Sequence, residues 1–359
     1  MAENPHHYAL ILAGGRGTRF WPRSRRRSAK QVLNVVGSRS LIQNTVNRLR
    51  PLIPPARMFV LTNEYLRDEI VRQLPDIPAP QILAEPAQRN TAPAIGLAAH
   101  ILESIDADAV MGVFPADQII TKEGRYRQLV RSAFRYAQRG QMVVLGILPR
   151  WAETGYGYIE FPRGTQPGPQ AVAIRRFQEK PDAPTARRYL KSGRFFWNAG
   201  MFFWRAGVML GEFRRNLPRT ASILAALPPF DDARFLTALK EAFPLCENIS
   251  IDYAVMEKAR GVVGIACPEI GWNDVGSWNA VYELLPHDRS GNVLPPDAIF
   301  QAANGNYVDT GGKMVALVGV SNLIVIDTPD ALLVAHRDHA QQVGEVVKIL
   351  EKQKRDDLL

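Results

Sequence analysis

Short apolar runs alternate with amphipathic stretches along the N-terminal part of the chain. The apolar runs predict buried strands over residues 8–12, 58–62, 81–84 and 109–114. The stretches between them predict helices: residues 41–50 capped by Ser40, a helix with Leu66, Ile70 and Leu74 on one face, a helix opened by Asn90, Thr91 and Pro93, and a helix carrying Tyr126, Leu129, Val130 and Phe134. This alternation implies right-handed crossovers and predicts an α/β fold with a mostly parallel central sheet.

Three loops fall on one edge of that predicted sheet. Parallel strands end at the same edge, and ligands of such sheets bind beyond the carboxyl ends of the strands. The loops at this edge are residues 13–30, 85–93 and 115–118. We therefore expect functional residues of the large domain in these three loops.

The pattern changes after Leu285. Residues 291–336 contain short apolar runs separated by Gly, Asn, Asp and Pro, which predict stacked short strands and turns. Val343, Val346, Val347 and Leu350 then have helical spacing and predict a helix over residues 341–352. A chain of 359 residues is long for one domain. We expect a large domain over residues 1–288 and a small domain over residues 289–359.

The net charge of +9 is unevenly distributed. Residues 4–63 contain eleven Arg or Lys and no acid. Clustered basic residues can neutralise a nucleic-acid backbone, but these surround a glycine loop and no nucleic-acid motif accompanies them. A small, highly charged phosphate ligand is the favoured interpretation. The sequence shows no secretory signal and no apolar run long enough to span a bilayer, so the expected compartment is the cytoplasm.

The glycine loop after the first strand does not match either common phosphate-binding motif. A Walker loop needs GxxxxGK[ST], which does not occur in the chain. A dinucleotide fingerprint needs GxGxxG with an acid about twenty residues later, whereas the next acid after this loop is Glu64. What remains is a glycine turn whose amides can approach phosphate, with charge-assisted contacts from Thr18, Arg19 and Lys30.

The sequence of this loop, LILAGGRGTRFWPRSRRRSAKQ, resembles the signature of the sugar-phosphate nucleotidyltransferases. Its Trp21, Pro22 and Ser24 are similar to the bacterial mannose-1-phosphate guanylyltransferases in particular. The same family pattern recurs in order as EPAQRNTAPA, FPADQ, TGYGYIE, FQEKPD, WNAGMFFW, SIDYAVMEKA and GWNDVGSW. The match covers nearly the whole chain. Two positions depart from the family: Ala29 replaces a proline, and Gln118 replaces a histidine.

The resemblance implies a Rossmann-like nucleotidyltransferase domain and a short C-terminal left-handed β-helix domain, which packs against the large domain or a second subunit of a homodimer. It implies an enzyme that transfers GMP from GTP to mannose 1-phosphate, giving GDP-mannose and pyrophosphate, with neither nucleic acid nor membrane as a partner. The sugar phosphate would attack the α-phosphorus of GTP in line, and Mg²⁺ would offset the repulsion between the two anions.

The resemblance also implies roles for individual residues. The nucleotide-binding residues are Leu12, Ala13, Gly14, Gly15, Gly17, Thr18, Arg19, Lys30, Glu85, Arg89, Asn90, Thr91 and Asp117. The sugar-phosphate site contains Gly157, Glu179, Lys180 and Asn198, with Lys180 on the phosphate. Asp117 and Asp274 would bind Mg²⁺. The expected catalytic residues are Arg19, Lys30, Asp117, Lys180 and Asp274.

Each of these assignments has a structural alternative. Glu179 and Lys180 also fit a surface charge pair. Asn90 or Thr91, and either aspartate, also fit helix caps, while Glu85 also fits a turn before Pro86. At the level of function, the alternatives are another sugar-1-phosphate nucleotidyltransferase with a different base or hexose, and a catalytically silent nucleotide-sensing paralogue.

Overall fold

The computed structural model describes residues 4–293, 295 and 297–359. The strands of the large domain are β1 (His7–Leu12), β2 (Met58–Asn63), β3 (Ile82–Glu85), β4 (Val110–Pro115), β5 (Ile119–Ile120), β6 (Val143–Ile147), β7 (Tyr158–Glu160), β8 (Ala171–Ala173), β9 (Arg176–Gln178), β10 (Phe195–Arg205), β11 (Val263–Cys267) and β12 (Trp272–Asn273). Its helices are α1 (Leu41–Leu49), α2 (Glu64–Gln73), α3 (Thr91–Ile105), α4 (Glu123–Gln138), α5 (Ala183–Ser192), α6 (Ala206–Asn216), α7 (Pro218–Ala225), α8 (Phe235–Ala242) and α9 (Trp278–Leu284).

The central sheet has the strand order β3-β2-β1-β4-β10-β6-β11-β8, with β7 and β9 attached beside β10. Strands β1 to β4, β6 and β11 run in one direction, whereas β10 and β8 run in the opposite direction. The expected α/β fold with a mostly parallel sheet is confirmed. The antiparallel β10 in the middle of the sheet was not predicted.

The predicted helices begin where the sequence places their caps. Ser40 and Gln43 form a reciprocal capping box at α1, and the Asn90 carboxamide accepts from Thr91 N at α3. Successive β1 residues pack on opposite faces of the sheet: Ala9 in one buried cluster and Leu10 in the other. Helices therefore cover both faces, which leaves the carboxyl ends of the parallel strands free to form a site.

The C-terminal region consists of short parallel strands and a final helix. They are β13 (Ile299–Gln301), β14 (Tyr307–Asp309), β15 (Ala316–Val318), β16 (Leu323–Asp327), β17 (Leu332–His336) and α10 (Val343–Lys352). Strand β13 pairs with β15, and β14 pairs with β16, in parallel; β17 returns antiparallel to β16. The pairing matches the predicted stacked strands, and α10 lies within the predicted helix.

Two buried asparagines hold successive turns of this region together. Asn292 Nδ2 donates to Ala303 O at 2.9 Å, and its Oδ1 accepts from Asn306 N at 3.0 Å. Asn306 Oδ1 in turn accepts from Leu323 N at 2.9 Å. Each side chain thereby satisfies backbone groups that turns of a stacked fold leave unpaired.

The two regions share a core. Phe20 and Trp21 of the glycine loop pack in one cluster with Trp278, Tyr307 and Ile324. Trp21 Nε1 also donates to Leu358 O at 3.1 Å, near the end of the chain. The boundary between residues 288 and 289 stays a prediction, and the shared core indicates that the two regions stabilise each other.

The acid-free segment is balanced by acids from the C-terminal region. The ion pairs are Arg16–Glu351, Arg23–Asp309, Arg25–Asp330 and Arg26–Asp356. The interpretation of this whole segment as a phosphate site was incomplete, because these four arginines have intramolecular partners distant in sequence. Among the described residues, no helix is both long enough and apolar enough to cross a membrane.

Candidate active site

The glycine loop that follows β1 is held in shape by Gln31. The buried Gln31 side chain donates from Nε2 to Ala13 O at 2.9 Å and to Gly15 O at 2.7 Å. Gly17 has a φ of 61°, and a Cβ atom there would lie 2.6 Å from Lys30 Cβ. Glycine is therefore required at position 17 for the loop to pack against Lys30. Gln31 was not predicted as a site residue, although it ends the loop motif.

Lys30 connects the glycine loop to the loop that contains Asp117 and to the loop that contains Asp274. Its side chain is buried, and Nζ donates to Asp117 Oδ2 at 2.9 Å and to Asp274 O at 2.6 Å. Asp117 follows β4, and Asp274 follows β12. Arg19 reaches the same place, because its Nη1 donates to Gly276 O at 3.2 Å. The structure thus brings together four of the five expected catalytic residues.

The carboxylate of Asp274 is held by its own loop and by Tyr156. Tyr156 forms a side-chain hydrogen bond with Asp274, and burial, followed by the negative charge of Asp274, raises the pKa of the Tyr156 hydroxyl. A Cβ atom at Gly276 would lie 2.8 Å from Asp274 Oδ2. Val275 between them has a φ of 49°, and its N–H donates to Asn273 Oδ1 at 2.7 Å. Tyr156, another residue that the sequence analysis missed, lies in the TGYGYIE motif.

Neither aspartate acts as a helix cap. Ser277 occupies the N-cap position of α9, and Lys122 occupies that of α4. Asp117 and Asp274 instead line one cavity of about 600 Å³, together with Thr18, Arg19 and Lys30. Within the described residues, no group of three or more His, Cys, Asp or Glu could hold a metal ion. Two carboxylates that face one cavity nevertheless fit Mg²⁺, which commonly takes one or two carboxylates plus waters and substrate phosphates.

A second cavity, of about 550 Å³, adjoins the first and shares Arg16 and Thr18 of the glycine loop with it. Its lining includes Asn63, Glu64, Glu85 and Gln88. Burial raises the pKa of the Glu85 carboxyl to about 8. Glu85 Oε2 lies 3.6 Å from where a Cβ atom at Gly14 would be, so the carboxylate lies against the glycine loop. A buried carboxyl group in this cleft suits hydrogen bonding to the N–H donors of a purine edge.

The other residues of the same loop that were expected to bind the nucleotide make contacts within the protein. The Arg89 guanidinium donates from Nε to Pro244 O at 2.9 Å, and Thr91 Oγ1 accepts from Ile251 N at 2.9 Å. Asn90, with a φ of 63°, caps α3. None of these three lines the cavity that contains Glu85. Their assignment to nucleotide binding stays a prediction, and Asn90 does have the alternative role of a cap.

A second polar cluster contains the residues expected to bind the sugar phosphate. Lys180 Nζ donates to Glu179 Oε1 at 2.5 Å, and Asn198 N donates to Gly157 O at 2.7 Å. A Cβ atom at Gly157 would overlap Glu179 Oε2, so a larger residue at position 157 would displace the Glu179 carboxylate. The Glu179 side chain is only 6% exposed, whereas that of Lys180 is 52% exposed. Glu179 and Lys180 do form the charge pair of the structural alternative, but Glu179 is buried and only Lys180 lies at the surface.

Asp252 belongs to this cluster but was missed by the sequence analysis. Its Oδ1 accepts from Asn198 Nδ2 at 2.9 Å, and it begins a π-helical turn, Asp252–Met256. Burial, and next the negative charge of Glu179, raise the pKa of Asp252 to about 7. Burial opposes the charged form of Lys180, but its hydrogen bond and ion pair with Glu179 raise its pKa overall. The only signal in the sequence was its place in the SIDYAVMEKA motif.

Gln118, one of the two departures from the family pattern, connects the two polar clusters. Its Nε2 donates to Ala199 O at 2.8 Å, next to Asn198, and its Oε1 accepts from Trp272 Nε1 at 2.8 Å. The glutamine therefore joins the Asp117 loop to β10 and β12. Ala29, the other departure, is buried directly before Lys30.

Comparisons with known proteins agree with this architecture. Residues 8–291 match the family model described as Nucleotidyl transferase, and residues 301–350 match the model of the MannoseP isomerase/GMP-like beta-helix domain. The chain is 41% identical over 356 residues to the mannose-1-phosphate guanylyltransferase RfbM of Salmonella typhimurium, covering 97% of this chain and 73% of the relative. It is 40% identical to the xanthan biosynthesis protein XanB of Xanthomonas campestris, with 97% and 74% covered.

A solved structure from Thermus thermophilus, described as a mannose-1-phosphate geranyltransferase, superposes with a TM-score of 0.82. It is 34% identical, and the match covers 96% of this chain and 99% of that one. The glycine loop, with a lysine and two aspartates around one cavity, lies at the carboxyl end of β1, where ligands of such sheets bind, and the matching family model describes the class as a nucleotidyl transferase. The chain belongs to the nucleotidyl transferase family, among the mannose-1-phosphate guanylyltransferases.

Proposed function

We propose that the protein transfers GMP from GTP to mannose 1-phosphate, forming GDP-mannose and releasing pyrophosphate. The observation that carries this proposal is the convergence of Arg19, Lys30, Asp117 and Asp274 on one cavity beside the glycine loop. RfbM of Salmonella typhimurium, which matches 97% of this chain, carries the same activity in its name.

The chemistry requires little more than positioning and charge. An oxygen of mannose 1-phosphate attacks the α-phosphorus of GTP, and the bond to the bridging oxygen breaks, so that pyrophosphate leaves with the electron pair. The attacking group is already an anion, so no general base is needed. The main barrier is repulsion between two anions, which favourably placed cations reduce.

Lys30 is placed to supply such a charge. An ammonium group has three N–H donors, and Lys30 uses donors on the Asp117 carboxylate and on Asp274 O. The remaining donor contacts a phosphate oxygen of GTP. Because Lys30 is buried among fixed partners, its charge is positioned before substrate binds and loses little free energy to reorganisation.

We propose that Asp117 and Asp274 hold Mg²⁺, within a family that generally uses a divalent metal. A bound divalent cation there would polarise the α-phosphate and orient both substrates. Lys180 holds the phosphate of mannose 1-phosphate, while Glu179, Asn198 and the backbone of Gly157 contact its hydroxyl groups. Tyr156 fixes the orientation of the Asp274 carboxylate through its hydrogen bond.

A pyrophosphate-release assay tests the proposal directly. The purified protein is incubated with each of the common nucleoside triphosphates and with mannose 1-phosphate, glucose 1-phosphate or galactose 1-phosphate, in Mg²⁺ and in EDTA. We expect pyrophosphate release with GTP and mannose 1-phosphate in Mg²⁺ and little release in EDTA. Preference for another base or hexose would indicate a different transferase of this family, and no release in any combination would indicate a silent paralogue.

The expected partners beyond the substrates also stay proposals. The C-terminal strands expose Val318, Leu332 and Val334, and a homodimer could cover such apolar side chains. Sedimentation equilibrium of the full chain would distinguish a dimer from a monomer. We also propose that the enzyme works in the cytoplasm, where GTP and sugar phosphates are available.

A further inference from the structure

The last helix of the chain lies on the glycine loop. A Cβ atom at Gly344 of α10 would lie 3.4 Å from Thr18 Oγ1 and 3.7 Å from Arg19 Cγ. Val347 and Glu351, further along the same helix, line both cavities of the candidate active site. The small C-terminal region therefore contributes one wall of the site.

The ion pair between Arg16 and Glu351 stands where the two cavities meet. Arg16, Thr18, Val347 and Glu351 line both the cavity with Glu85 and the cavity with Lys30. A nucleotide whose base lies near Glu85 and whose phosphates lie near Lys30 must therefore pass this pair. Both side chains are partly exposed, at 46% and 35%, and ion pairs of this kind are weak and readily exchanged.

Helix α10 brings opposite charges to the phosphate cavity. Lys348 and Glu351 both line it, one helical turn apart. Lys348 pairs with Glu345 at 2.8 Å, and both of those side chains are exposed. The Glu351 carboxylate repels a triphosphate in the same cavity, whereas the Lys348 ammonium attracts it.

We propose that α10 is part of the nucleotide site and that, when GTP binds, its triphosphate replaces Glu351 as the ion-pair partner of Arg16. Glu351 then opposes GTP binding, and Arg16 and Lys348 favour it. This inference rests on the proposed function, since it takes GTP as the ligand of the two cavities. It assigns the C-terminal region a role in substrate affinity in addition to its role in the shared core.

The inference is tested by the direction in which three charge-removing substitutions change the Kd for GTP. Binding of GTP to the full-length protein in Mg²⁺, without sugar phosphate, is measured by isothermal titration calorimetry. We expect Glu351→Gln to lower the Kd for GTP by about 3- to 10-fold, and Arg16→Gln and Lys348→Gln each to raise it by a similar factor. If Arg16 served only to tether Glu351, Arg16→Gln and Glu351→Gln would instead change the Kd in the same direction.

Two variants serve as matched controls. Asp309→Asn removes the partner of Arg23 in another ion pair between the two regions, and Lys352→Gln removes a charge from the same helix; neither residue lines either cavity. Both should leave the Kd for GTP within twofold of the wild-type value. Thermal unfolding confirms that each variant is folded.

The outcomes separate this inference from the proposed function. If the wild-type protein binds GTP but Glu351→Gln weakens or does not change binding, α10 is only a structural element and the inference is wrong. If the wild-type protein binds no GTP, both this inference and the proposed function are wrong. Opposite effects of Glu351→Gln and Arg16→Gln, with unchanged controls, support the inference.

Discussion

Lys30 Nζ lies 2.9 Å from Asp117 Oδ2, and this ion pair joins the glycine loop to the end of β4. The Lys30 side chain is 8% exposed, whereas that of Asp117 is 39% exposed. The lysine is thus fixed by its surroundings, and the carboxylate remains accessible from the cavity. The ammonium charge of Lys30 offsets the repulsion between the Asp117 carboxylate and a phosphate group, and it also attracts phosphate directly.

Lys30→Met is expected to weaken GTP binding and to lower turnover while the fold is retained. Methionine keeps a long unbranched side chain in the buried position but removes the charge. The loss should be about 100- to 1,000-fold in kcat/KM, the scale of removing one electrostatic contact to a transition state. Steady-state kinetics with varied GTP measure it. Lys122→Met, at an exposed lysine before α4, is the matched control, and equal kinetics for both variants would contradict the assignment.

The raised pKa of Glu85 predicts a pH dependence of GTP binding. In the free protein the carboxyl is protonated below about pH 8, because burial raises its pKa to about 8. Guanine offers N–H donors, which bind the carboxylate form, so GTP binding lowers this pKa and releases a proton. The affinity should therefore rise between pH 6 and pH 8, by up to about tenfold per pH unit.

Calorimetry in buffers of different ionisation enthalpy measures the proton release. The phosphates of GTP titrate near pH 6 themselves, so the informative quantity is the difference between the wild-type protein and Glu85→Gln. The variant should show a flatter pH dependence of the Kd and a smaller proton release. Inosine triphosphate, which lacks the 2-amino donor, should lose less affinity than GTP in Glu85→Gln. Identical pH profiles for variant and wild type would remove Glu85 from base recognition.

The sequence predicted those parts of the fold whose signals are local. The Ser40 cap and the Asn90 cap depend on neighbouring residues, and both were found as expected, while the reciprocal contact of Gln43 with Ser40 was an addition from the structure. The direction of β10 could not be predicted, since a central buried strand is apolar whether it runs parallel or antiparallel. The sequence likewise does not show which acid neutralises which arginine.

The residues of the candidate site likewise fall into those that local motifs identify and those that only tertiary contacts identify. Lys30, Asp117 and Asp274 were found through motifs, and the structure shows them in contact. Asp252 and Glu351 were missed because their importance arises only from contacts with residues distant in sequence, Asn198 and Arg16 respectively. Local patterns identify the chemistry of a site, whereas its electrostatic balance depends on the tertiary structure.

Lys180→Ala is expected to raise the KM for mannose 1-phosphate at least tenfold, with a much smaller effect on the KM for GTP. The lysine forms its ion pair with Glu179 in the second polar cluster and does not line the cavity that contains Lys30. Its removal also leaves the buried Glu179 without its cation, so thermal unfolding is measured alongside. Lys191→Ala, at an exposed lysine of α5, is the control. Equal increases in both KM values would indicate a general structural role.

Gly276→Ala is expected to reduce turnover by displacing the Asp274 carboxylate. The new Cβ atom would lie 2.8 Å from Asp274 Oδ2, closer than such atoms approach, so the carboxylate must move away from its present position. We expect a folded protein with turnover lowered by about tenfold or more, because small misplacements of catalytic groups are costly. Gly124→Ala, where a Cβ atom has no neighbour within 4 Å, is the control. Normal turnover in Gly276→Ala would mean that the position of this carboxylate does not matter.

Asp274→Asn tests the proposed metal site most directly. Asparagine keeps the shape of the side chain and an oxygen that can accept the hydrogen bond from Tyr156, but it removes the negative charge. Asp274 binds Lys30 through its backbone carbonyl, so that contact is retained in the variant. We therefore expect a folded protein that still binds GTP and whose turnover is lowered by about 100-fold or more.

The Mg²⁺ concentration needed for half-maximal activity should rise as well, because a carboxylate ligand is lost. Titration of activity with Mg²⁺ in the variant and in Asn273→Asp/Asp274→Asn, which restores a carboxylate one residue away, separates charge from position. Near-normal turnover of Asp274→Asn with an unchanged Mg²⁺ requirement would contradict the assignment and leave Asp274 as a structural residue of its loop.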